Sequence, residues 1–201
     1  MKQISQSTGG AANVRPKASA DAPADKWRIL DLLTGCAESF GIGHRELNVL
    51  RALLSFLPER IIAAGTAVVF PSNATLSDRL NGLPESTLRR HLARLVASGL
   101  VGRCDSPNRK RYARRNRSGG LLRAFGFDLA PLATAATAIE AAAERAEAAR
   151  AEIAVLRENL ALLRSDLLTA AAEDHDLAEA ARRMLRRHAS PQDLRALAEK
   201  L

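Results

Sequence analysis

The chain has 201 residues, with 30 Lys or Arg against 22 Asp or Glu and a net charge of +8, and aromatic residues make up only 3% of it. It has no run of eighteen apolar residues, which argues against a membrane-spanning helix, and its polar start shows no apolar stretch of a signal peptide, so a cytoplasmic protein is expected. Two isolated cysteines, Cys36 and Cys104, and four histidines without common spacing (His44, His91, His175, His188) offer neither a disulfide framework nor a metal site.

In chain order, 1–24 is rich in Ser, Ala, Gly and Pro without periodicity and reads as a disordered arm. Lys26 to Phe40 places Trp27, Leu30, Leu33 and Ala37 along one helical face, and Gly41 and Gly43 break it. His44 to Leu57 is a second helix with Leu47, Leu50, Leu54 and Leu57 inward, ended by Pro58. Thr66 to Phe70 is a short β-prone run.

Ser72 is then a good N-cap for a helix carrying Leu76 and Leu80, with Asn73 beside it at the helix start. Gly82 permits a tight turn, and Pro84 and Glu85 suit the first turn of another helix. On that helix Leu88, Leu92 and Leu95 form one stripe. Ser86, Arg90, Ala93, Arg94 and Ala97 fall opposite, with Thr87 and Arg89 on the flanks. Small residues alternating with arginines let a helix lie in a major groove while long side chains reach base edges. His91 flanks this helix and is expected at the surface.

Leu100 to Cys104 and Lys110 to Arg114 read as two strands of a hairpin, joined by the turn residues Asp105 to Arg109. Its basic residues are Arg109, Lys110, Arg111, Arg114 and Arg115. Between Pro84 and Arg117 stand ten Lys or Arg and two acids, Glu85 and Asp105, a local net of +8. That equals the charge of the whole chain, so the rest balances to zero. A helix-turn-helix followed by such a hairpin is a winged helix, and this concentration of charge is the electrostatic footprint of a duplex-binding module.

Phe125 and Phe127 are expected to cover the core beside the wing, with Pro131 starting the next helix. From Leu132 the pattern turns to heptads. Leu132, Ile139, Ala146, Ile153, Leu160 and Leu167 recur every seven residues, with Ala142, Ala149, Leu156, Leu163 and Ala170 at the second core position. This predicts a coiled-coil-like helix about 60 Å long at 1.5 Å per residue, with a homodimer or another helix as partner through 139–170. Glu152 and Arg157 would flank such a seam attractively across a parallel dimer. Asp176 to His188 continues as a shorter basic helix, and Ser190-Pro191-Gln192-Asp193 opens a further one. The expected fold is therefore mainly α. It comprises a disordered arm (1–24), a winged-helix domain (25–130), a coiled-coil helical region (131–189) and the start of a truncated helix (190–201).

The strings PESTLRRHLARLVASGL and SPNRKRYARR, with HRELNVLRALLSFLP upstream and AFGFDLAPL downstream, together resemble the RepC-type initiators of repABC plasmids. The similarity covers Trp27 to Leu132 most strongly. Members of that family are about twice this length, so the resemblance implies a fragment or a shortened relative. It also implies replication initiation at a plasmid origin, alongside partition proteins of the same operon. The residues alone indicate sequence-specific binding to double-stranded DNA, and a winged-helix transcription regulator dimerised by its coiled coil is the alternative. No phosphate loop, nucleophile with a base, or paired carboxylates point to an enzyme. No cofactor or small-molecule ligand is implied.

Overall fold

A computed structural model describes residues 24–63, 67–108, 110–117, 121–169 and 175–201. The expected arm therefore lies outside the described residues except for Ala24. That residue belongs to a short strand, β1 (Ala24–Asp25), antiparallel to β2 (Ile61–Ile62).

Helix α1 (Lys26–Cys36) starts where the Asp25 carboxylate accepts the amides of Trp27 and Arg28, at 2.9 and 3.3 Å. It buries Ile29, Leu30 and Leu33, and Trp27 packs half-buried on the same core. Helix α2 (His44–Ser55) follows. The Glu46 carboxylate reaches back to accept the Gly43 amide at 2.9 Å, and Leu47, Leu50, Leu53 and Leu54 point inward. The buried ammonium of Lys26 donates to the carbonyls of Leu54 (3.1 Å), in the last turn of α2, and Leu57, just beyond it. That contact ties the beginning of the described chain to the back of α2.

After β3 (Val68–Val69), the Ser72 hydroxyl caps α3 (Asn73–Arg79) by accepting the Thr75 amide at 3.0 Å. Asn81 and Gly82, both at positive φ, reverse the chain into α4 (Glu85–Ala97), which buries Leu88, Leu92 and Leu95 against α2 and α3. The strands β4 (Gly102–Cys104), β5 (Tyr112–Arg115) and β6 (Leu121–Asp128) follow.

Their pairing corrects the hairpin expected from the sequence. β4 and β5 do not pair with each other. Both run antiparallel to β6, with Cys104 opposite Gly126 and Tyr112 opposite Phe125, so one strand breaks and then resumes along the same neighbour. β3 also pairs with β6, giving the order β3-β6-β4. The break falls between Cys104 and Tyr112. Asp105 takes the Arg103 guanidinium, Ser106 Oγ donates to the Lys110 carbonyl at 2.6 Å, and Pro107 has no amide to give a ladder. The turn residues do mark a departure from the sheet, but the chain reversal lies later, between Arg115 and Leu121. Gly126 is obligatory in β6, because a Cβ there would stand 2.1 Å from the Val69 carbonyl oxygen.

Beyond the sheet, α5 (Ala130–Thr134) leads to α6 (Ala136–Thr169), α7 (His175–Leu185) and α8 (Pro191–Ala198). Apolar burial falls into two clusters. The larger joins α1 to α5, the strands β1, β2, β3 and β6, and the start of α6 through Ile139, Ala142 and Ala143. The smaller is built on Leu160 of α6, Ala181 of α7, and Leu194 and Leu197 of α8, with Ile153, Leu156, Leu177 and Met184 around it. The heptad seam thus has partners within the chain at both ends. Among the described residues no helix is long and apolar enough to cross a membrane.

The polar flank of the seam is also used internally. Glu152 pairs with Arg195 of α8. Arg157 donates to the carbonyls of Arg187 (3.0 Å) and Leu185 at the end of α7.

Candidate nucleic-acid interface

The apolar stripe of α4 faces the core, so its opposite side is turned outward. Ser86, Arg89, Arg90, Ala93, Arg94 and Ala97 are exposed or nearly so and Thr87 is half-buried, the two faces expected from the spacing. Arg90 makes no ion pair among the described residues. Arg89 donates to Glu85 Oε1 at 2.7 Å, one helical turn back.

Arg94 lies above a buried pair. Glu46 of α2 and His91 of α4 are both almost fully enclosed. His91 Nδ1 stands 2.7 Å from Glu46 Oε1, and Arg94 Nη1 reaches the same oxygen at 3.3 Å. Burial opposes ionisation of Glu46. The hydrogen bond from His91, the amides of Gly43 and Glu46, and the Arg94 charge outweigh it and hold the carboxyl below its ordinary range. His91 is therefore a core residue rather than the expected surface one. Its position on the flank of α4 faces α2, and helical spacing alone carries no information about that neighbour. One carboxylate caps the start of α2 and fixes the inner face of α4.

A second network joins α3, α4 and the loop before β5. The Arg111 guanidinium lies over the Phe127 ring, 4.4 Å from its centroid. It donates to the Pro71 carbonyl at 3.0 Å and to Asn73 Oδ1 at 2.9 Å. Asn73 Nδ2 in turn donates to Glu85 Oε1 at 2.7 Å. The hydrogen bonds from Asn73 and Arg89 hold Glu85 below the usual carboxylate range. Of the sites expected at the start of α3, Ser72 is thus occupied as a cap and Asn73 as a bridge. Arg111, expected among the DNA-contacting residues of a wing, is half-buried and ties the segment before β5 to the start of α3. An open cleft of about 760 Å³ lies between these parts, lined by Asn73, Ser77, Asp78, Glu85 and Lys110 among others.

Lys110 and Arg114 are exposed and carry no ion pair among the described residues. Arg109 and the side chain of Arg115 lie outside the described residues. Two further cations, Arg117 and Arg123, belong to this surface although they fall beyond the run 109–115 singled out by sequence. Arg123 stands directly opposite Arg114 and lies over Phe125, 4.9 Å from its ring centroid. The alternation Arg123, Phe125, Phe127 is the strand signal that could have located it. Like charges facing each other across a ladder cost stability. From Ser106 to Phe127 the chain has seven Lys or Arg and no acid. Cys36 is buried and Cys104 half-buried, both as free thiols whose pKa burial raises.

Residues 5–190 match the family model described as the replication protein C N-terminal domain. The chain belongs to the replication protein C family. Two curated relatives, each named "Putative replication protein C", match it. One, from Sinorhizobium fredii strain NGR234, is 45% identical over 148 residues, 73% of this chain. The other, from Rhizobium rhizogenes, is 44% identical over 155 residues, 75% of this chain. The chain spans only 37% and 38% of the length of these relatives. No solved structure matches it significantly. The matched family segment contains all of α4, the strands and the helices α6 and α7, so both networks above lie within it.

Proposed function

We propose that this replication protein C segment is the duplex-binding part of a plasmid replication initiator acting in the cytoplasm, and that it recognises origin DNA through a winged helix-turn-helix. The observation that carries this reading is the continuity of one positive surface. On the outward side of α4, Arg89, Ala93 and Ala97 line one cleft with Arg103, Arg111 and Phe127, and the sequence from Ser106 to Phe127 carries no acid. In this arrangement α4 enters the major groove. Arg90 is the leading base-reading residue, because no carboxylate holds it, and Ser86, Thr87, Arg89 and Arg94 lie around it. Lys110, Arg114, Arg117 and Arg123 follow the phosphates, and Arg111 holds the loop they depend on. Family membership favours an initiator over a transcription regulator.

Fluorescence anisotropy with duplexes selected by the chain tests the binding surface. Replacing Arg90 by Ala should weaken the selected duplex by about 1–3 kcal/mol and relax preference at one base position. Replacing Arg114 and Lys110 together should weaken selected and random duplex alike. It should also flatten the plot of log affinity against log salt by about 0.9 for each phosphate that is no longer neutralised. Arg90→Ala and Arg94→Ala variants that bind as tightly as the parent would refute this orientation of α4. The initiator role is tested by transforming cells with a plasmid whose only replication gene encodes a full-length relative in which this chain replaces the matching segment. The plasmid should be maintained, and should disappear when Arg90 is replaced.

A further inference from the structure

We infer that Glu85 is a specificity-determining residue of this interface, accepting a hydrogen bond from the exocyclic amino group of a cytosine in the major groove. The inference rests on the duplex-binding reading above and goes further by naming a base and the group that reads it. Glu85 is the only acid on α4 and is its first residue, in the turn that meets base edges when such a helix enters a groove. A carboxylate there repels the phosphates on either side, so general affinity for DNA does not account for it.

Its geometry is that of a prepared acceptor. Oε1 takes both donors, Asn73 Nδ2 and Arg89 Nη2, each at 2.7 Å. Oε2 has no partner among the described residues, and the side chain is 54% exposed. Asn73 is itself fixed by Arg111, which is stacked on Phe127, so the carboxylate is held from the sheet through α3 rather than left free at a helix end. A base edge that offers a lone donor to a carboxylate in the major groove is cytosine N4, and the partner guanine offers O6 and N7 to an arginine. Glu85 and Arg89 stand side by side with that complementary pair of groups. The pair matches one C·G base pair or two adjacent ones.

The test is selection from a randomised duplex pool by the parent chain and by the Glu85→Gln and Glu85→Ala variants, with Trp27 fluorescence melts to confirm folding. The parent should select one position dominated by cytosine. In Glu85→Ala that preference should fall about tenfold, with other positions unchanged. Binding to random-sequence duplex should tighten, because its phosphates no longer meet the carboxylate. Glu85→Gln, which keeps the side-chain shape, should move the same position toward adenine, the base that a glutamine amide matches. Retained duplex with the same preferences in both variants would overturn the role of Glu85 and leave the DNA-binding reading standing. A parent chain that retains no duplex from the pool would overturn both.

Discussion

Helix α4 and the second half of α6 carry apolar residues at closely similar spacing, yet they are buried in different ways. In α4, Leu88, Leu92 and Leu95 are enclosed by α2, α3 and the larger core. In α6, only Leu160 of the residues from Ile153 to Leu167 is fully buried. The cluster around it draws on α7, α8 and their flanking residues Ala189 and Leu201, and Val155, Leu162 and Leu168 remain exposed. The arginines differ as well. Those of α4 point outward from a braced scaffold, whereas Arg157 and Arg164 of α6 are spent on backbone carbonyls of the following helices. A leucine stripe therefore says that a face is covered, but not by how much or by what. The charge opposite the stripe is available to a partner only where the other elements leave it free.

The contrast breaks most sharply if Leu160 is replaced by Asp. An uncompensated charge buried in the smaller cluster costs about 3–5 kcal/mol, more than the short helices α7 and α8 are expected to absorb. Helicity measured by circular dichroism should fall by the share of α7 and α8. The mass by sedimentation should be unchanged, because the seam is closed within the chain, and the Trp27 transition should stay put. A fall in mass would mean that α6 pairs between chains instead.

Leu95→Ala probes the other side. Truncating a fully buried leucine in the larger core should cost about 2–5 kcal/mol and shift both the Trp27 and the helical transitions, since the start of α6 is anchored there. Gly126→Ala should cost about 1–3 kcal/mol by forcing β3 away from β6, and it should spare α7 and α8.

The smallest effect depends on pH. Glu46 has a depressed pKa in the folded chain, so its contribution is present above the ordinary value of 4.5 and disappears as pH falls through the lower folded value. Stability of the parent, followed by denaturant unfolding between neutral and acid pH, should drop more steeply in acid than that of Glu46→Gln. Parallel curves would show that the Glu46–His91 contact is not coupled to folding.

Much of the candidate surface is legible in the residues themselves. The Ser72 cap, the Pro84 start, the turn at Gly82 and the outward arginines of α4 all stand as the spacing implies. The basic strands after α4 are legible in charge but not in pairing. Asp105 to Arg109 carries turn residues, and a turn that leaves a strand looks in sequence like one that reverses it. Arg111 counts among the basic residues of the expected hairpin by its place in the sequence, which does not show the aromatic ring and carbonyl waiting on one side.

What the sequence by itself determined is local: helix starts, apolar stripes, and the confinement of the net charge to about thirty residues. Each depends on chemistry within one or two turns, where caps, side-chain spacing and backbone freedom act on neighbouring positions. Only the tertiary structure decided the partners. It set β6 between β3 and β4, turned His91 onto Glu46, ran Arg111 through Asn73 to Glu85, and closed the α6 seam with α7 and α8. Such choices join residues tens of positions apart. They follow from which surfaces the whole chain can bury together, a quantity that no short window of residues contains.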